Sequence, residues 1–184
     1  MKRTIIGSLV GGLLIFVWQT ASWAVLDLHR SSQQYTPKQD TIINFLSTVL
    51  DKEGGYLIPT VPQGTSMEEA EKIGKTMLGK PWASIQYHQS FNFDNGKMMM
   101  NMVRGLLANI IMVWLVCWMI GKMKVPLSFV QIFLVCLFIG LIAFINEPYT
   151  GHIWYPLFDV NIYLVDALVS WGLCGVWLGW WMRK

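Results

Sequence analysis

Four stretches of this chain stay apolar for long enough to cross a bilayer, and the polar positions between them divide it. Ile5–Val25, Gly105–Gly121, Pro126–Ile145 and Ile162–Met182 each approach the roughly twenty apolar residues that a membrane-spanning helix needs. Between the first two runs the pattern changes. In "TPKQDTIINFLSTVL", Ile42, Ile43, Leu46, Val49 and Leu50 recur at helical spacing, which predicts an amphipathic helix. Thr36 is its expected N-cap, with Pro37 in the first turn and Gln39 closing a capping box. "YLIPTVP" reads as a short extended segment whose prolines suit an edge.

A second short helix is expected in "TSMEEAEKIGKTML", capped by Ser66 with Glu69 and stopped by Gly79. In "WASIQYHQSFNF", Ile85, Tyr87, Phe91 and Phe93 alternate with polar residues, the signature of a half-buried strand. The pattern therefore predicts a membrane all-α bundle of four transmembrane helices, with a small extracytoplasmic α+β insertion between helices 1 and 2. Its divisions are residues 1–26 as an anchor, 27–97 as the α+β cap, and 98–184 as a three-helix region with spans near 103–121, 126–145 and 162–182. A cap of this size is expected to lean on the bundle or on a partner for stability.

Composition agrees: 54% of the residues are hydrophobic and only 14% charged, which argues against a soluble fold. Charge then sets the orientation. Lys2, Arg3, Lys122, Lys124, Arg183 and Lys184 fall in segments without acids, whereas Glu147 and Asp159 lie in a link without Lys or Arg. The positive-inside rule places both termini and the Lys122–Lys124 link in the cytoplasm, and residues 27–101 and 146–161 outside. The expected location is a bacterial cytoplasmic membrane. "MKRTIIGSLVGGLLIFVWQTASWA" also has the layout of a signal peptide, although its apolar run is long for one. A retained anchor is the preferred reading, and cleavage would leave the orientation unchanged.

Basic residues thus report topology, and no basic patch with interleaved aromatics points to nucleic acid. Cys117, Cys136 and Cys174 each fall inside an apolar run without CxxC spacing, so they are expected to pack as small apolar residues. Gly7 and Gly11 in the first run, and Gly172, Gly175 and Gly179 in the last, gather on single helix faces and are expected to pack tightly against neighbouring helices or copies of them. Trp23, Trp154, Trp180 and Trp181 read as interfacial anchors.

Asp166 lies inside the last run and Arg104 at the mouth of the second, at matching depth. An intramembrane ion pair between Arg104 and Asp166 is the expected solution to their burial.

His29, His88 and His152 all fall on the outward side. A copper or zinc site would draw on His88, His152, Met98 and Met102, since thioethers and imidazoles suit such metals. Of the methionines in "KMMMNM", only Met98 and Met102 share a helix face, and no HxxxH or HExxH supports the metal reading. No phosphate loop, dinucleotide fingerprint or nucleophile elbow is present either. The leading expectation is a non-enzymatic membrane protein without a cofactor. It would sit in the lipid bilayer and use its cap to bind a protein partner or a second copy. The alternative is transition-metal or proton-linked handling at the outer face.

Overall fold

The computed structural model describes residues 2–183. It is mostly helical, and four of its helical stretches are long and apolar enough to cross a membrane: Lys2–Val25, Asn95–Lys122, Phe129–Trp154 and Val160–Met182. Two compact units are present, one comprising residues 1–34 and 94–184 and the other residues 35–93.

The first unit contains the four long helices. Helix α1 spans Lys2–Thr20 and continues through a π-helical turn, Ala21–Val25, into a short 3₁₀ turn, Leu28–Ser32. The 35–93 unit contributes α2, Gln39–Val49, β1, Gly54–Ile58, α3, Met67–Met77, and β2, Ala83–Tyr87. Then follow α4, Asn95–Lys122, and α5, Phe129–Phe144, which ends in a second π-helical turn, Ile145–Tyr149. A single turn, α6, Thr150–Trp154, leads to α7, Val160–Met182.

Local chemistry sets these boundaries. Helix α4 starts well before its apolar run, because the Asp94 carboxylate accepts from Lys97 N–H at 2.7 Å and caps the polar turns ahead of it. Helix α5 starts three residues after Pro126. Ser128 caps it, accepting from Gln131 N–H while the Gln131 side chain accepts from Ser128 N–H, a complete capping box.

The main interfaces are α1 with α4, α1 with α7 and α5 with α7, while α4 and α5 share at most a marginal contact. Side chains sort accordingly. Ile5, Leu9, Leu13 and Val17 on α1 are exposed, as are Leu107, Ile111, Trp114 and Leu115 on α4. The interior holds Ile15, Val113, Val116, Ile120, Ile132, Trp171 and Leu178 together with Cys117, Cys136 and Cys174. All three thiols are free and fully enclosed, and they come from three different helices.

Small residues let these helices close. A Cβ on Gly7 would stand 3.2 Å from Cys117 Sγ, and one on Gly11 2.8 Å from Val113. One on Gly175 would stand 3.1 Å from Phe133 O, and one on Gly179 2.8 Å from the Phe129 ring. Gly172 differs: its nearest neighbour, Leu137, would be 3.8 Å away, an ordinary contact. The tightest approaches are at Gly12, 2.7 Å from the Ile110 backbone, and Gly140, 2.7 Å from the Trp171 ring and 2.8 Å from Ala167 O. At these places two helices meet almost backbone to backbone.

In the 35–93 unit, β1 and β2 pair antiparallel, from Gly54 opposite Tyr87 to Ile58 opposite Ala83. Ser66 caps α3 through Glu69 N–H, and Gly79 follows it with a φ of +76°. The amphipathic helix begins later than Thr36 would suggest. Thr36 instead accepts from Lys38 N–H in a preceding turn, and the helix starts at Gln39 without a side-chain cap. Strand β2 stops at Tyr87, so Phe91 and Phe93 do not extend its alternation and are exposed. Neither α2 nor α3 contains a buried residue, and Tyr87 is the one buried side chain described in the unit.

Candidate functional site, a carboxylate–imidazole–carboxylate junction

The end of the bundle opposite Arg3 and Trp181 holds a buried polar network. Asp27 adopts a left-handed backbone conformation, φ 50°, between the π-helical turn of α1 and the 3₁₀ turn. That reversal returns the chain over the start of α7, and Ser32 Oγ holds the turn by donating to His29 O at 2.8 Å. His29 is thereby set against α7 and is only 2% exposed. Asp159 immediately precedes α7, and Asp166 stands two helical turns further on, so both carboxylates present on the same face.

The imidazole fits between them. Its Nδ1 lies 2.7 Å from Asp159 Oδ2, and its Nε2 lies 3.0 Å from Asp166 Oδ2. Trp18 donates its indole N–H to the other Asp166 oxygen at 3.0 Å. Trp23 stacks on the imidazole with centroids 3.8 Å apart and planes 7° from parallel, and Tyr163 meets the ring edge-on at 4.8 Å.

Hydrogen-bond logic constrains how the ring can serve both carboxylates. A neutral imidazole has one N–H and one acceptor nitrogen. Between two ionised carboxylates it would satisfy one line and oppose lone pairs in the other. The two short nitrogen–oxygen lines tie the one ring to both carboxylates, with donor and acceptor roles set by the tautomer. Burial makes this sharing consequential, because an unpaired charge there would be costly. One oxygen, Asp159 Oδ1, and the Ser22 hydroxyl oxygen are buried without a hydrogen-bond partner among the described residues.

Beside the network lies a cleft of about 650 Å³. Asp166 and Tyr163 from α7 border it, as do Gln19 and Trp23 from the α1 stretch and Met112 from α4. Gln19 is itself held by Asn109, whose side-chain N–H donates to it at 2.7 Å. On the side towards Arg3 and Trp181, the apolar core of Ile15, Val113, Ile132 and Leu178 follows.

The expected Arg104–Asp166 pair does not form. Both Asp166 oxygens are engaged by His29 and Trp18, while Arg104 is exposed and makes no ion pair among the described residues. The reason is geometric: His29 reaches the buried carboxylate from a turn packed on α7.

The residues considered for a metal are distributed differently. Met98 and Met102 are exposed on the first turns of α4, and His152 Nδ1 accepts from Leu157 N–H at 2.9 Å, bracing the link into α7. His88 is exposed beside β2 in the 35–93 unit. Among the described residues, no three His, Cys, Asp or Glu side chains form a group able to hold a metal ion.

Sequence reasoning places His29 and Asp159 on the outward side and allows Asp159 to lie near Asp166, but it does not join His29 to either carboxylate. The available signal was the spacing of Asp159 and Asp166 on one helical face, together with a histidine just beyond the first apolar run. The chain matches no protein-family model, no curated protein and no solved structure, so the geometry of this junction carries the functional reading.

Proposed function

We propose that the chain is a non-enzymatic, proton-responsive protein of a bacterial cytoplasmic membrane, with both termini cytoplasmic and the His29 junction at the outer face. The Asp159–His29–Asp166 network carries this reading, because ionisable groups within membrane-spanning helices are expensive to retain and commonly serve proton or ion chemistry. The Trp181 indole N–H donates to Arg3 O at 2.8 Å, which supports both ends of the chain lying on one side. The network communicates with one side only. Beyond it the described core holds mainly thiols and hydrocarbon, with Ser8, Asn109 and Ser170 as its buried polar side chains and no succession of carboxylates or imidazoles. The junction therefore acts as a one-sided proton store that clamps or releases the α1–α7 contact, rather than as a proton channel.

The groups facing His29 are Asp159 just before α7, Asp166 and Tyr163 on α7, and the Trp23 ring on the π-helical turn that follows α1. Nearby Arg30 is exposed and pairs with Asp27. With only three histidines in the chain, nitrogen-15 NMR of selectively labelled protein in nanodiscs tests the proposal. As the pH is varied, the His29 ring signals are expected to change together with Trp23 fluorescence. A His29 ring that keeps one protonation state throughout would reduce the junction to a static brace.

A second reading concerns residues 35–93. Ile42, Ile43, Phe45 and Val49 are all about half exposed or more on α2, which supports a protein partner or a second copy as the occupant of that face. Photo-crosslinking from Phe45 in cells is expected to capture a discrete adduct. Smearing across many proteins, or no adduct, would count against a specific partner.

A further inference from the structure

We propose that the cleft beside Asp166 binds an amphiphilic primary ammonium: an ammonium head at the carboxylate, with its hydrocarbon chain leaving between α4 and α5. The inference rests on the junction just described, since Asp166 belongs to both.

Three observations lead to this ligand class. First, the cleft contains a carboxylate at depth. Asp166 lies six residues into α7, about 9 Å along the helix axis, and is 14% exposed although one oxygen already accepts from Trp18 and the other lies 3.0 Å from His29 Nε2. A carboxylate oxygen can accept more than one donor, so an ammonium entering the cleft finds acceptor capacity. Glu147, on the π-helical turn of α5, adds a second acid to the lining.

Second, the remaining walls suit a cation carried on hydrocarbon. Trp23, Phe144, Tyr163 and Trp171 all border the cleft, and aromatic faces attract ammonium groups, more strongly when water is excluded. Neither Lys nor Arg lines it, so an anionic head would meet like charge without a counter-ion.

Third, the bundle is open where the cleft lies. Met112 of α4 and Ala143 of α5 both line it, and these helices share at most a marginal contact. The gap is a lateral exit for an acyl or alkyl chain, and the exposed Leu115 on α4 and Ile142 on α5 continue the apolar surface. A small hydrophilic cation would leave this apolar flank uncovered.

A primary ammonium on hydrocarbon occurs both in an aminolipid headgroup and in a free long-chain amine, and the test separates the two. The full-length protein, purified in neutral detergent, is offered equal amounts of phosphatidylethanolamine and phosphatidylglycerol and examined by native mass spectrometry. In parallel, dodecylamine and dodecanol are titrated against tryptophan fluorescence. Preferential retention of phosphatidylethanolamine identifies a lipid ligand. Dodecylamine binding roughly ten- to a hundredfold tighter than dodecanol, the worth of one charge-assisted hydrogen bond, without lipid preference identifies a free amine.

Asp166→Asn is expected to abolish either preference. Because that substitution also touches the junction, Ala143→Phe serves as the second variant. It fills the cleft from α5 and is expected to abolish binding while the His29 ring signals stay as in the wild type. Equal retention of both lipids together with equal affinity for amine and alcohol overturns the proposal. So does binding that survives both variants. Loss of ammonium preference with an intact His29 titration rejects the cleft alone, whereas a silent His29 with preserved preference rejects only the proton-responsive reading.

Discussion

His29→Ala is expected to destabilise the bundle by about 3–5 kcal/mol, the usual cost of removing one partner from a buried charged network. The magnitude follows from what remains. Asp159 and Asp166 have side chains that are 1% and 14% exposed, and without the imidazole they face each other's field with the Trp18 N–H as the one side-chain donor to either among the described residues. The second arm asks whether charge or lost volume is responsible. Adding Asp159→Asn and Asp166→Asn to the His29→Ala background removes the stranded charges and is expected to recover part of the loss, because an unpaired buried charge costs more than a neutral amide. Unfolding free energies in mixed micelles provide the measurement. If the single variant falls within about 1 kcal/mol of wild type, within the usual range for exposed ion pairs, the junction is not the clamp described here. If the triple variant is no better than the single, packing outweighs charge.

The second large effect is expected from glycines at the helix crossings. Gly12→Ala places a methyl 2.7 Å from Ile110 Cα and N, which are backbone and cannot rotate away. Gly140→Ala does the same against Ala167 O and the Trp171 ring. Each forces two helices apart and should cost about 1–3 kcal/mol, as overpacking does in other cores. Gly172→Ala is the matched control. Its new methyl would meet Leu137 at 3.8 Å, so stability should hold within about 0.5 kcal/mol. Parallel losses at all three positions would mean that flexibility of the chain, and not close approach, is the reason for glycine.

The sequence carries some of this plainly. Apolar runs reveal the four long helices because a bilayer core imposes length and polarity that ordinary helices do not meet. Their starts are less visible. Helix α4 begins at Asn95, since Asp94 caps a polar stretch to which hydropathy is blind. The Ser128–Gln131 box moves the start of α5 past Pro126. Ser66 is readable as a cap, whereas Thr36 has the same appearance and serves a turn instead.

The site is harder to read for a different reason. Burial of Asp166 demands a partner, and helical depth nominates Arg104. The true partner sits on a turn whose direction depends on one left-handed residue, Asp27. Asp159 falls in an apparent loop, and only its register with Asp166 on α7 makes it half of a pair. Glycine faces are visible as spacing, yet spacing cannot rank Gly12 and Gly140 above Gly172, because that ranking belongs to the crossing geometry.

The enclosed cysteines have a practical consequence. Cys117, Cys136 and Cys174 are the only cysteines in the chain, and all three meet at its centre with no solvent access. A soluble alkylating reagent can reach them only when helices part, so the rate of thiol labelling is a clock for opening of the bundle. The three thiols lie on α4, α5 and α7, so site-resolved labelling would reveal which helix departs first, with no surface thiol to blur the count.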